Sequence, residues 1–189
     1  HPVSLYAASK KSNEAMAHSY AHLFGLPCSG LRFFTVYGPW GRPDMALFIF
    51  TKKILNNEAI DIFGHGKMKR DFTYIDDIVE GILRLLDHVP KISSDWSGEK
   101  PIPSYSSAPW SIYNIGNNNP TELEYFISLI EKILGKKAIR NYLPMQPGDV
   151  SETAANIQRL NKIIGFCAST KIEEGIPKFI SWYKNFYNE

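Results

Sequence analysis

The run Leu31-Arg32-Phe33-Phe34-Thr35-Val36-Tyr37, bounded by Gly30 on one side and Gly38-Pro39 on the other, constrains the fold most. A segment so dense in aromatic and β-branched side chains has no helical period and suits a buried strand followed by a loop through Pro43. It comes directly after a segment of the opposite kind. From Ser4 to about Gly25, Leu5, Ala8, Ala15, Tyr20, Leu23 and Phe24 recur at helical spacing, with Ser4 placed to cap the helix and Gly25 to end it. The rest of the chain keeps this alternation. Ala46 to Leu55 is helical in pattern, and Ile60 to Phe63 and Arg70 to Tyr74 read as two short strands joined by a glycine turn. Asp76 reads as the cap of a helix running to about Asp87, and Ser111 to Ile115 as a further strand. Thr121-x-x-Glu124 and Thr170-x-x-Glu173 read as capping boxes, the first opening a helix that closes at Gly135 and the second opening the terminal helix. Pro177 should kink that last helix or split off its first turn. Residues 88–110, rich in Ser and Pro, read as an exposed excursion. Helices alternating with buried strands predict an α/β fold.

Composition removes whole classes of function. With 44% hydrophobic and 21% charged residues, the 189-residue chain can bury an ample core and is neither disordered nor of low complexity. The 21 Lys+Arg nearly balance 19 Asp+Glu, and no basic run exceeds Lys67 to Arg70, so no nucleic-acid partner is expected. An anionic ligand must therefore be held by a few placed cations. No apolar run approaches the roughly 20 residues that span a bilayer, and His1-Pro2-Val3-Ser4 does not read as a leader, so no membrane partner is expected. Two cysteines, Cys28 and Cys167, fit a reducing cytoplasm. His18-x-x-x-His22 has ligand spacing but no following glutamate and no third ligand, so no metal is expected and a solvent or interface histidine pair is the plainer reading. A start without methionine, joined to an immediate helix signal, suggests a piece of a longer chain.

Tyr6 and Lys10 lie four residues apart in the first helix, hence on one face. A phenol serves as a base near neutrality only if its pKa of about 10 falls by roughly three units, and a neighbouring desolvated cation supplies that kind of effect. Ten tyrosines make the spacing unspecific by itself, so context decides. Tyr6-x-x-x-Lys10, the strand ending Thr35-Val36-Tyr37-Gly38-Pro39, Arg70-Asp71-Phe72-Thr73-Tyr74-Ile75-Asp76-Asp77 and Tyr113-Asn114-Ile115-Gly116 follow in that order. Together they resemble the extended short-chain dehydrogenase/reductases that act on nucleotide sugars. Gly38-Pro39-Trp40-Gly41-Arg42-Pro43-Asp44-Met45-Ala46, Gly66-Lys67-Met68-Lys69-Arg70-Asp71 and Pro144-Met145-Gln146-Pro147-Gly148-Asp149-Val150 are most similar to UDP-glucuronate 4-epimerases.

The resemblance implies the carboxy-terminal part of a Rossmann-type enzyme together with its small α/β substrate domain. Residues 1–37, 75–87 and 111–116 would belong to the Rossmann part, residues 38–74 and 117–189 to the nucleotide-sugar domain, and 88–110 would be the loop. It implies Tyr6 as acid/base at the sugar C4 hydroxyl and Lys10 as its partner on the nicotinamide ribose, with Phe33 and Val36 also beside NAD. Thr35 and Arg42 would clamp the sugar carboxylate, Met45, Ala46 and Phe63 would line the uracil pocket, Arg70 would bind the diphosphate, and Asp149 would meet the uridine ribose. Core packing explains Phe63 equally well. Relatives often carry arginine where Gln146 stands, which implies one phosphate cation fewer here. No G-x-G-x-x-G occurs in the 189 residues and the family's catalytic Ser/Thr segment is not present, so the isolated chain is expected to hold NAD poorly and to be inactive. A UDP-sugar substrate and a homodimer through the Tyr6 helix are further implications. Decarboxylase or 4,6-dehydratase chemistry, or a non-catalytic UDP-sugar-binding or dimerisation module, are the alternatives.

Overall fold

The computed structural model describes residues 1–189. Helix α1 (Leu5–Phe24) opens the chain, capped by the Ser4 hydroxyl, which accepts from Ala7 N–H, and ended by Gly25 in the left-handed region. It leads into β1 (Cys28–Phe33), which pairs in parallel with β5 (Trp110–Ile115) from Cys28↔Trp110 to Phe33↔Ile115. The short β2 (Thr35–Tyr37) pairs in parallel with β4 (Lys69–Tyr74), whose other edge carries the antiparallel β6 (Pro120–Glu122). A third sheet joins β3 (Ala59–Ile62) to β7 (Ile139–Tyr142) in parallel. The remaining helices are α2 (Ala46–Leu55), α3 (Ile75–Leu86), α4 (Leu123–Leu134), α5 (Gln158–Ile164) and α6 (Ile172–Tyr187).

The largest core is built by one face each of α2, α4 and α6 closing over β3 and β4, with Ile54, Ile60, Ile62, Phe126, Ile176 and Phe179 all but inaccessible to solvent. A smaller cluster joins α3, β5 and α5 through Ile78, Leu85, Tyr113, Ile115 and Leu160. Residues 158–166 therefore pack with the part expected to be Rossmann-like, not with the unit that 117–189 was expected to form. The apolar side chains Leu160 and Phe166 meet Ile115 and Ile78 there, and nothing local in the sequence marks that choice.

Several local expectations change for physical reasons. The single strand expected over 31–37 is two strands, because at Phe34 the chain leaves β5 and takes up β4, while Phe34 N–H still donates to Ile115 O at 3.2 Å. The two strands flanking the glycine turn exist but do not pair with each other. Residues 63–66 form a 3-10 turn with Gly64 and His65 in the left-handed region, which directs β3 toward β7 and β4 toward β2 and β6. Neither capping box forms. Helix α4 begins at Leu123, after Thr121 has been drawn into β6, and α6 begins at Ile172, with no side chain capping either. Asp76 lies inside the first turn of α3 and not before it, while Asp77 accepts from Thr170 N–H at 2.9 Å and so ties α3 to the approach of α6. Helix α6 is not split at Pro177, because Ile176, Phe179, Ile180 and Tyr183 on both sides of it are buried in the main core. The excursion 88–110 is largely exposed but returns to pack, burying Ser106, Ala108 and Trp110. His18 bonds Ser106 Oγ at 2.8 Å and meets the Trp110 ring edge-on, so this histidine serves an internal contact rather than solvent or an interface.

Candidate active site

A cleft of about 530 Å³ opens where β2, β4 and α2 meet the turn after β3, and it collects Thr35, Met45, Ala46, Phe63 and Arg70 in one wall system. Each is placed by its backbone. Thr35 is the first residue after the chain changes sheets, Met45 and Ala46 begin α2, Phe63 follows the last residue of β3, and Arg70 sits on β4 opposite Thr121. The alternation of a strand sends Arg70 to the cleft and its neighbour Asp71 to the interior.

The Arg70 guanidinium is aimed by its own surroundings. Nη1 donates to Lys69 O at 2.9 Å and to Ser151 O at 3.4 Å, and Nη2 lies 3.4 Å from Met68 Sδ. Asp149 Oδ1 stands 3.8 Å from Nη2, so the expected diphosphate and ribose residues adjoin. Gln146 is exposed and serves the same loop through its carbonyl, which accepts from Asp149 N–H at 3.1 Å. Gly148 in that loop has a positive φ, and a Cβ there would lie 3.6 Å from Ser4 Cβ, so the loop rests on the cap of α1.

Arg42 does not line the large cleft. It lines a small adjoining recess of about 30 Å³ that shares Thr35, Met45 and Ala46 with it. Its guanidinium is engaged by Asp44, Nε to Oδ1 at 3.1 Å and Nη2 to Oδ2 at 2.9 Å. The loop carrying it is pinned from outside, since Trp40, a bulky residue at φ 63, packs against the rings of both Trp182 and Phe186, at 5.3 and 5.2 Å. Such a backbone conformation costs of order 1–3 kcal/mol and persists only where neighbours hold it.

Tyr6 and Lys10 share a face of α1 as their spacing requires, with Lys10 Nζ 5.3 Å from the centre of the Tyr6 ring. Both are exposed and neither lines the cleft. Phe33 ends β1 and is exposed, while Val36 on β2 is half-buried against the α3–β5–α5 cluster. His18 and His22 stack with ring centres 6.5 Å apart, and no group of three or more acidic, histidine or cysteine side chains is arranged to hold a metal.

Three carboxylates that shape the site carry no motif by themselves. Asp44 engages Arg42, Asp61 lies 3.7 Å from Lys53 in the cleft wall, and Asp71 is fully buried behind it. Asp71 accepts from Asn117 N–H at 3.0 Å, Asn118 N–H at 3.0 Å and Ala155 N–H at 2.8 Å, which fastens β4 to two loops. Only its place next to Arg70 in a strand pattern could have marked it as inward-facing.

Residues 1–99 match the NAD dependent epimerase/dehydratase family. Across its whole length the chain is 57% identical to Protein CapI of Staphylococcus aureus, of which it covers 57%. It is also 51% identical over 187 residues to the probable UDP-glucuronate 4-epimerase of Rhizobium meliloti, of which it covers 55%. The fold is similar to that of the UDP-glucuronic acid 4-epimerase of Bacillus cereus in complex with UDP-glucuronic acid and NAD, with a TM-score of 0.83 and 33% identity over 99% of this chain and 55% of that one. The chain thus spans a little over half the length of the relatives it matches. With more than half of its residues inside the family match and the α/β topology of a Rossmann-type short-chain dehydrogenase/reductase, this chain belongs to the NAD dependent epimerase/dehydratase family.

Proposed function

We propose that the cleft binds a uridine diphosphate sugar. The chain then supplies the substrate-binding and acid/base residues of an NAD-dependent enzyme that inverts C4 of UDP-glucuronate through a 4-keto intermediate. The observation that carries this reading is the convergence in one cleft of an apolar wall (Met45, Ala46, Phe63), a guanidinium held by backbone carbonyls (Arg70) and a hydroxyl (Thr35) shared with the recess of Arg42. A flat base, a diphosphate and a polar sugar ring need those features in that order. Similarity to the Rhizobium meliloti and Bacillus cereus proteins supports UDP-glucuronate over a neutral sugar.

In this reading the planar fork of Arg70 meets diphosphate oxygens with donors that Lys69 O and Ser151 O keep in place. Asp149 accepts from the uridine ribose, and Gln146 contributes no charge. Thr35 and Arg42 hold the uronate carboxylate, which keeps it from turning perpendicular to the C4 ketone, the rotamer from which a β-keto acid loses CO₂. Tyr6 takes the proton of the C4 hydroxyl and gives it back after the sugar turns over.

The residues on hand fit the nicotinamide end of NAD: Tyr6 and Lys10 are exposed on one face of α1, and Phe33 stands exposed at the end of β1 with Val36 beyond it. Bound beside these residues, NAD would supply reversible hydride exchange with C4 of the sugar, while Tyr6 handles the hydroxyl proton. The apolar residues that α1 exposes, among them Leu5, Met16, Tyr20 and Leu23, support packing of that helix against a second copy. Titrating the chain calorimetrically with UDP, UDP-glucose and UDP-glucuronate tests the reading. All three should bind, and Arg70→Ala should weaken UDP by roughly 1.5–3 kcal/mol. Equal UDP affinity in the variant would reduce Arg70 to a surface cation and the cleft to a packing gap.

A further inference from the structure

Each cation lining the cleft or the recess beside it has a carboxylate of the chain itself next to it: Arg42 in the recess has Asp44, and Lys53 and Arg70 in the cleft have Asp61 and Asp149. The three pairs are not alike. Lys53 and Asp61 are 3.7 Å apart and Arg70 and Asp149 are 3.8 Å apart, whereas Asp44 grips Arg42 through both oxygens at 3.1 and 2.9 Å. This two-pronged geometry is the one a guanidinium offers to any carboxylate, including one that arrives on a ligand. The backbone makes it possible, because Met45 N–H donates to Arg42 O at 3.1 Å and closes a turn that sets the side chains of Arg42 and Asp44 together. Asp44 also lines the large cleft beside Thr35, so a sugar in that cleft lies within reach of the pair.

We propose that Asp44 is an internal stand-in for the substrate carboxylate and that it sets how strongly the site prefers a uronate over a neutral sugar. The proposal rests on the reading of Arg42 as a carboxylate clamp. A neutral sugar leaves the Arg42–Asp44 pair intact, and no charge is stranded when it binds. A uronate must displace Asp44 from the fork or share the fork with it, which puts two carboxylates on one guanidinium. Asp44 therefore penalises the charged sugar alone. The pair is open to water, with the Arg42 and Asp44 side chains 72% and 67% exposed, so the penalty is that of a surface ion pair and amounts to at most about five-fold in affinity.

The experiment is calorimetric titration of the chain and of its Asp44→Asn and Asp44→Ala variants with UDP-glucuronate and UDP-glucose, with Arg42→Ala in parallel. Both Asp44 variants should bind UDP-glucuronate about two- to five-fold more tightly and UDP-glucose unchanged. Arg42→Ala should weaken UDP-glucuronate selectively. If Arg42→Ala shifts the ratio of the two affinities while both Asp44 variants leave it unchanged or lower it, the stand-in is wrong and the clamp survives. If Arg42→Ala leaves the ratio unchanged, the clamp itself is wrong and the stand-in falls with it.

Discussion

At the scale of single residues, β4 puts two charges to opposite uses. Arg70 faces the cleft, and Asp71 turns inward to accept three backbone N–H groups without any cation beside it. An amide cannot replace that carboxylate, because its NH₂ would face donors. Asp71→Asn should lower stability by about 2 kcal/mol or more, read from the urea midpoint, and a cost within a few tenths would show that the loops close without it. Tyr6 is the reverse case, an exposed side chain whose value is chemical. In a polypeptide of the full length of its relatives, the proposed role has Tyr6→Phe lower kcat for UDP-glucuronate by at least about 10²-fold while leaving the fold intact. An unchanged kcat would remove Tyr6 from the reaction. The Tyr6–Lys10 pair and Arg70 were legible as sequence because each sits in a motif of several residues. Asp44 and Asp71 also sit in such motifs, but their partners were not legible, since a carboxylate's partner is chosen by the turn or loop that reaches it.

Among the elements, α1 and α4 are both helices ended by a left-handed glycine, and they lie in opposite environments. Ala21 is the one buried residue of the 20 in α1, whereas Phe126, Ile127 and Ile130 of α4 are wholly enclosed. In the monomer, amide hydrogen exchange should therefore be faster along α1 than along α4 and β4, and equal protection would mean that α1 is covered in solution by the second copy proposed above. The end of α4 also fixes the start of β7. Glu131 is buried and accepts from Ala138 N–H at 3.0 Å, Lys137 Nζ at 2.9 Å and Arg140 Nη2 at 3.1 Å. Burial pushes its carboxyl up, but the Ala138 N–H and the charges of Lys137 and Arg140 outweigh that and hold it below the ordinary carboxylate range. A carboxyl held low stabilises the fold fully above its unfolded pKa of about 4.3 and loses that contribution as pH falls through the folded value. Glu131→Gln should flatten the acid limb of the stability curve below about pH 4.5, and an acid limb as steep as that of the unaltered chain would assign the loss to other carboxylates.

For the whole molecule, UDP-sugar binding is expected, under the proposed function, to outlast NAD binding in this chain, because no G-x-G-x-x-G occurs in its 189 residues. The purified 189-residue chain should show no measurable NAD affinity and no epimerase turnover, and turnover without an added polypeptide would overturn this. The sequence by itself determined the order and type of most elements, the α/β class, the ends of α1 and α4 at Gly25 and Gly135, and the family through its motifs. Those features are local, because a period of 3.6 or 2 and a left-handed glycine are settled within a few residues. Only the tertiary structure decided that the run 31–37 changes sheets at Phe34, that β3 and β4 part at the glycine turn to find β7 and β2, and that α5 joins the α3–β5 cluster. Strand partners tens of residues apart are chosen by which apolar faces can close together, and no single segment carries that information. The cleft exists only as a product of those choices, whereas the Arg42–Asp44 pair beside it is set by a local turn.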